Sequence, residues 1–316
     1  MRKVFGTGFA AAFACLVFMA APEAVASTSV RPGGSDNAQL PISTFEIAQL
    51  KAARIQAGPH GGVTLPRANT YAIWNNATAS IATFDVTAPG TLNVIGSTGI
   101  PSAQFINGLE FEPTSGKLYL TTNSATNYFF DVDIATGLAS NGRGSGLSAG
   151  DTIGDLSYDH FQSRMLAVGN AGTAGSGARL YEIDLVTGDA ALLGPVGNLT
   201  EGFAVSLAVR PSDGLIFLHG IETDRWYTVD PDTLQATALD PLGVNTNFGQ
   251  GASFDPQSLI LYHAMLTVDG GNQNRLAVID QTNGLPAFIG TLGAGLTQIG
   301  DIAFPPSRVF SDGFEE

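Results

Sequence analysis

From residue 70 to residue 305 the chain is built of short runs in which hydrophobic positions alternate with polar ones or crowd together, each run closed by Gly, Pro, Asn, Asp or Ser. A period of two with frequent turn residues predicts β-strands joined by tight turns. Residues 204 to 210, 215 to 219, 226 to 230 and 235 to 239 show this as four consecutive strands, with Ser212-Asp213-Gly214 as turn chemistry. Thr114-Ser115-Gly116 belongs to the same class of turn, and Ala135-Thr136-Gly137, Val186-Thr187-Gly188 and Thr282-Asn283-Gly284 form a second class.

The strands recur in units. One marker is a strand ending in aspartate before a turn: Asp85, Asp133, Asp184, Asp230 and Asp280 are spaced 48, 51, 46 and 50 residues apart. A second is a strand that ends near proline or a turn: Phe111, Tyr158, Val209, Phe254 and Phe304 are spaced 47, 51, 45 and 50 apart. Two independent markers on one period, with four strands per unit and almost no helix, predict an all-β chain folded as a β-propeller of five four-stranded blades. The last unit stops after one strand, 300 to 305, and the first opens at 70 to 75 with the other three. One blade is therefore expected to pair strands from both ends of the repeat region, which closes the two open sheet edges.

The unit Gly108-Leu109-Glu110-Phe111-Glu112-Pro113-Thr114-Ser115-Gly116-Lys117-Leu118-Tyr119 resembles the repeat of secreted bacterial β-propellers, including an uncharacterised family of unknown function. The likeness covers residues 70 to 305 and implies the fold. Its motif positions are turn and core residues, so it implies no catalytic assignment.

The N-terminal region reads differently. Arg2 and Lys3, the apolar run from Val4 to Ala21, and Ala24-Val25-Ala26 have the form of a secretory signal peptide over residues 1–26. Residues 27–69 are expected to be a flexible leader. They carry one short helix near 44–57, started by the capping box Ser43-Thr44-Phe45-Glu46 and stopped at Gly58-Pro59. The propeller is assigned to 70–309, and 310–316 resembles a short tail found on exported Gram-negative proteins, a candidate sorting tag.

Charge narrows the partners. With 28 acidic against 14 basic residues the chain carries −14 at pH 7, which repels nucleic acid and anionic lipid. Its one cysteine, Cys15, falls in the signal segment, so no disulfide is expected and stability must come from core and hydrogen-bond ladders. After signal cleavage no membrane segment is expected, and the protein is read as a monomer of the periplasm or cell exterior.

Candidate chemistry is sparse. Gly146-Leu147-Ser148-Ala149-Gly150 matches a nucleophile elbow in letters, but a Gly/Ser-rich loop surrounds it and no helix follows. His60, His160, His219 and His263 make no zinc pattern; His219 and His263 occupy similar places in adjacent units and could share a face. The repeat aspartates are expected to accept turn N–H groups two residues on. Asp131-Val132-Asp133 lacks the later ligands of a calcium loop, with Ala135 and Gly142 in their places.

Propeller ligands commonly sit at a mouth of the central channel. The starts of the five innermost strands bring together Gln104, Asn107, Asp151, Asp155, Glu201, Asn247, Gln250, Gln298 and Asp301 as ligand-binding candidates. Such a set suits calcium, as the one cofactor the residues suggest, or the hydroxyls of a glycan. The expected function is an exported, non-catalytic propeller binding a small ligand, glycan or protein at one face. The alternatives are a carbohydrate-active or lactone-cleaving enzyme using Asp151, Asp155, Glu201 and Asp301, and a structural surface protein.

Overall fold

The structure, a computed structural model, describes residues 70–75, 78–101, 103–171, 177–199, 203–269, 271–293 and 298–306. The signal peptide, the leader with its helix, the 310–316 tail, His60 and Glu201 lie outside the described residues.

Among the described residues twenty antiparallel strands form five four-stranded sheets. Blade 1 holds β1 (Thr70–Asn75), β2 (Ser80–Asp85), β3 (Ala88–Ser97) and, at its inner edge, β20 (Gln298–Ala303). Blade 2 runs outward through β4 (Ile106–Glu112), β5 (Lys117–Thr122), β6 (Phe129–Val132) and β7 (Ala139–Arg143). Blade 3 comprises β8 (Asp151–Asp159), β9 (Arg164–Ala171), β10 (Ala178–Ile183) and β11 (Ala190–Pro195). Blade 4 is β12 (Ala204–Val209), β13 (Ile216–Gly220), β14 (Arg225–Val229) and β15 (Ala236–Pro241). Blade 5 is β16 (Gly251–Phe254), β17 (Leu261–Thr267), β18 (Gln273–Ile279) and β19 (Pro286–Thr291).

Closure occurs as the repeat count requires: β1 pairs with β20, Ala72 opposite Ile302 and Trp74 opposite Ile299, so the ring's first blade takes its innermost strand from the far end of the repeat region. The hydrophobic core is correspondingly fivefold, one cluster in each gap between blades. Ile81 and Leu109 meet between blades 1 and 2, Phe129 and Ile153 between 2 and 3, Leu180 and Leu218 between 3 and 4. Phe217 and Leu261 meet between 4 and 5, and Tyr262 and Phe84 between 5 and 1. This is why the inner and middle strands read as nearly continuous hydrophobic runs: both of their faces are buried between sheets, whereas the outermost strands, such as β3 and β7, are mostly exposed.

The five repeat aspartates perform the turn role that their position implies. The Oδ1 of Asp85, Asp133, Asp184, Asp230 and Asp280 accepts the backbone N–H two residues on, at 2.7 to 2.9 Å. These bonds hold Asp133, Asp184 and Asp230 below the usual carboxylate range. The Gly146–Gly150 segment is an irregular link from β7 into strand β8, with no helix after it.

Candidate functional site

The strands β4, β8, β12, β16 and β20 are each the inner edge of a sheet and surround the channel axis. An edge strand carries N–H groups with no neighbouring strand to accept them, and inside a ring water is scarce. Buried side chains of the neighbouring blade supply the acceptors. Asp301 receives the N–H of Ile302 at 2.7 Å on one oxygen and that of Leu109 in blade 2 at 2.5 Å on the other. Asp155 repeats the device one blade pair further on, taking Leu156 N–H at 2.8 Å and Leu207 N–H of blade 4 at 2.7 Å.

Two residues further along the strands, Glu110 takes Phe111 N–H at 2.8 Å and, more weakly, Tyr158 N–H of blade 3 at 3.4 Å. Ser157 Oγ accepts Val209 N–H of blade 4 at 3.0 Å. The inner strands are thus stitched to one another by side-chain acceptors. Asp155 and Asp301 are both fully buried. Burial pushes both carboxyls well above the usual carboxylate range, and at Asp301 the neighbouring Asp155 adds to the rise. Burial also raises Glu110, to about 8, against the opposing pull of its hydrogen bonds from Phe111, Tyr158 and Ser157.

At the mouth where the inner strands begin, the expected residues separate into groups. Asp155 and Asp301 meet, as described. Asp151 does not join them: it points across its sheet to β10, where Arg179 and the Tyr181 hydroxyl each bind it at 2.5 Å. Gln250 and Gln298 gather on the 247–248 turn. Gln298 Nε2 donates to Phe248 O at 3.0 Å and Gln250 Nε2 donates to Asn247 O, leaving the buried Gln250 Oε1 without a partner. Asn247 is exposed and accepts Phe248 N–H. Asn107 is half-buried and donates to Ile153 O at 2.7 Å, another tie between blades 2 and 3, while Gln104 is half-buried in the turn before β4. Among the described residues no three His, Cys, Asp or Glu side chains group as a metal site.

The opposite mouth, where the inner strands end, is built by all five blades. Each contributes one wall residue and one rim residue: Phe111 and Pro113, Tyr158 and His160, Val209 and Pro211, Phe254 and Pro256, Phe304 and Pro306. They line a narrow opening whose enclosed space is about 10 Å³, room for one water-sized group, and whose floor holds Glu110, Ser157 and Ser253. The walls are fixed by edge-on aromatic contacts, Phe111 on Tyr71 at 5.3 Å, Phe254 on Phe217 at 5.6 Å and Tyr158 on His160 at 5.2 Å. Phe111, Tyr158, Val209, Phe254 and Phe304 are the residues that mark the period in the sequence. That recurrence, wall residue and then proline two residues on in four of five blades, was the signal for this mouth.

His219 and His263 come together, but buried between two blades rather than on a face of the ring. They meet in the gap between blades 4 and 5, centroids 4.9 Å apart, with Trp226 against both. Burial alone lowers His219 to about 3, and burial with the neighbouring imidazole lowers His263, so both rings are neutral at pH 7. Ser206 approaches His263 Nε2 at 3.5 Å, and the remaining ring nitrogens have no hydrogen-bond partner.

No family model and no curated protein matches the chain. Among solved structures it is similar to an auxiliary nutrient binding protein from Bacteroides thetaiotaomicron, at 15% identity and TM-score 0.42 over 60% of this chain and 43% of that one. An auxiliary nutrient binding protein from Bacteroides ovatus gives 15%, 0.39, 71% and 50%. A chain of a nidogen/laminin complex gives 13%, 0.47, 75% and 97%. The chain spans about half the length of the two Bacteroides structures. These are likenesses of backbone course, and the fold itself rests on the blade topology and its closure. Among the described residues no helix is long and apolar enough to cross a membrane.

Proposed function

We propose that the protein is an exported, non-catalytic binding propeller that takes its ligand at the proline-rimmed mouth of the channel. The observation that carries this reading is the convergence of all five blades on one funnel, with walls of four aromatic rings and Val209 and a single acidic side chain in its floor. Export is supported by the signal-like form of residues 1–26. Binding is favoured over hydrolysis because Asp155 and Asp301 spend their oxygens on backbone N–H groups and on each other, and Asp151 is held by Arg179 and Tyr181.

A second surface is the opposite rim, where Gln104, Asn247, Gln250 and Gln298 could meet calcium or a glycan. The unpartnered Oε1 of Gln250 is the observation in its favour. Thermal unfolding of the purified protein against calcium, oligosaccharides, amines and short peptides tests both. A ligand at a hundred times its dissociation constant stabilises by about 2.7 kcal/mol. The reading requires at least one ligand to raise the midpoint in the parent protein and to lose that effect in His160→Ala or Pro256→Ser. An effect lost instead in Asn247→Ala moves the site to the other mouth.

A further inference from the structure

The funnel floor narrows the class of ligand, on the premise that the binding reading holds. Glu110 lines it as a carboxyl that makes no ion pair with any Lys, Arg or His among the described residues. Its neighbours in the floor are already engaged: Ser157 Oγ accepts Val209 N–H and Ser253 Oγ donates to Phe254 O. A sugar, which needs several free partners, finds few here. An anion meets both the carboxyl and the field of a chain at −14. A cation of water size meets a buried carboxyl lacking a counterion.

We propose that the funnel binds the ammonium group of its ligand, with the Glu110 carboxylate as counterion. The ammonium belongs either to a small free amine or to a lysine side chain. Binding adds a positive partner to a buried carboxyl that otherwise has only the hydrogen bonds of Phe111, Tyr158 and Ser157, and the low-dielectric surroundings strengthen that pairing. Because burial keeps Glu110 protonated up to about pH 8, an incoming ammonium displaces that proton to the buffer. Other titratable groups face the same region. Asp155 adds negative charge from β8, with Asp301 bonded to it, and Tyr158 and His160 stand in the wall and rim. At the strand ends Glu112, Asp159 and Asp255 accept turn N–H groups, and Arg210 is paired with Asp213.

Titration calorimetry of the full chain with n-butylammonium, in two buffers of different ionisation enthalpy, tests this. The expected result is binding with close to one proton released at pH 6.5, an affinity rising about tenfold per pH unit up to about pH 8 and then levelling. Glu110→Gln should weaken binding at least tenfold and abolish the release. Should that variant fail to fold, the proton count in the parent protein decides alone. A peptide Gly-Gly-Lys-Gly-Gly bound as well as n-butylammonium points to a protein lysine; the small amine alone points to a free ligand. Binding of n-butanol as tightly as n-butylammonium, or binding without proton release, overturns the ammonium assignment and leaves the mouth as a binding site. Absence of any heat with either amine overturns the assignment, and the thermal panel then separates a wrong ligand class from a wrong reading of the mouth.

Discussion

Asp301 joins three strands with one side chain, and replacing it measures how much the ring depends on such links. Asp301→Ala leaves the buried N–H groups of Leu109 and Ile302 without acceptors. Each orphaned donor costs about 1 to 3 kcal/mol, so a clear fall in the urea midpoint is expected; an unchanged midpoint would mean that water replaces the carboxylate. Glu110 gives stability an alkaline slope. Its folded pKa, about 8, lies above the unfolded 4.5, so between those values the unfolded chain has released a proton that the native state keeps. Stability from this group is complete below about pH 4.5 and is lost as pH rises toward 8, on the order of a few kcal/mol in total. Glu110→Gln should flatten that limb in urea titrations from pH 5 to 8. His219 acts in the opposite sense. Held neutral down to about 3 against 6.5 for a free histidine, it makes stability fall as pH drops through 6.5, and His219→Phe should make the acid limb shallower.

At the scale of the strand, the inner edges are where local sequence and global geometry constrain each other most. A Cβ on Gly251 would run into the Asp301 carboxyl and backbone, and one on Gly108 would lie 2.8 Å from Leu156 N. Gly251→Ala should therefore cost about 1 to 3 kcal/mol, as overpacking does, and calorimetric unfolding would show it as a lowered midpoint. Strands, turns and period were legible because each is dictated locally: alternation marks a strand facing two environments, and the Asp-x-x-Thr-Gly segments mark turns whose hydrogen bonds lie within five residues. The inner-strand carboxylates were legible as an acidic group at the channel but not as hydrogen-bond acceptors. Asp301 and Leu109 are 192 residues apart, and nothing in either neighbourhood announces the bond. The engagement of Asp151 was hidden for a related reason, since its partners Arg179 and Tyr181 sit two strands out on β10.

For the whole molecule, ring closure turns a one-dimensional repeat into two unlike mouths. The first has its carboxyls drawn inward onto backbone N–H groups; the second keeps an aromatic funnel around Glu110. Both mouths were written in the sequence once per blade, but only the first carries charged and amide residues in recognisable excess. The second is made of residues that serve equally well as core and turn, so their convergence becomes visible only when the five blades are closed. The measurement that tests the central claim most directly is a backbone-resolved NMR titration of the isotopically labelled protein with n-butylammonium and with an oligosaccharide mixture. The account predicts shifts concentrated at residues 110–113, 157–160, 209–211, 253–256 and 304–306. Shifts concentrated at 104–107, 151–155, 247–250 and 298–301 would contradict it and place the site at the other mouth.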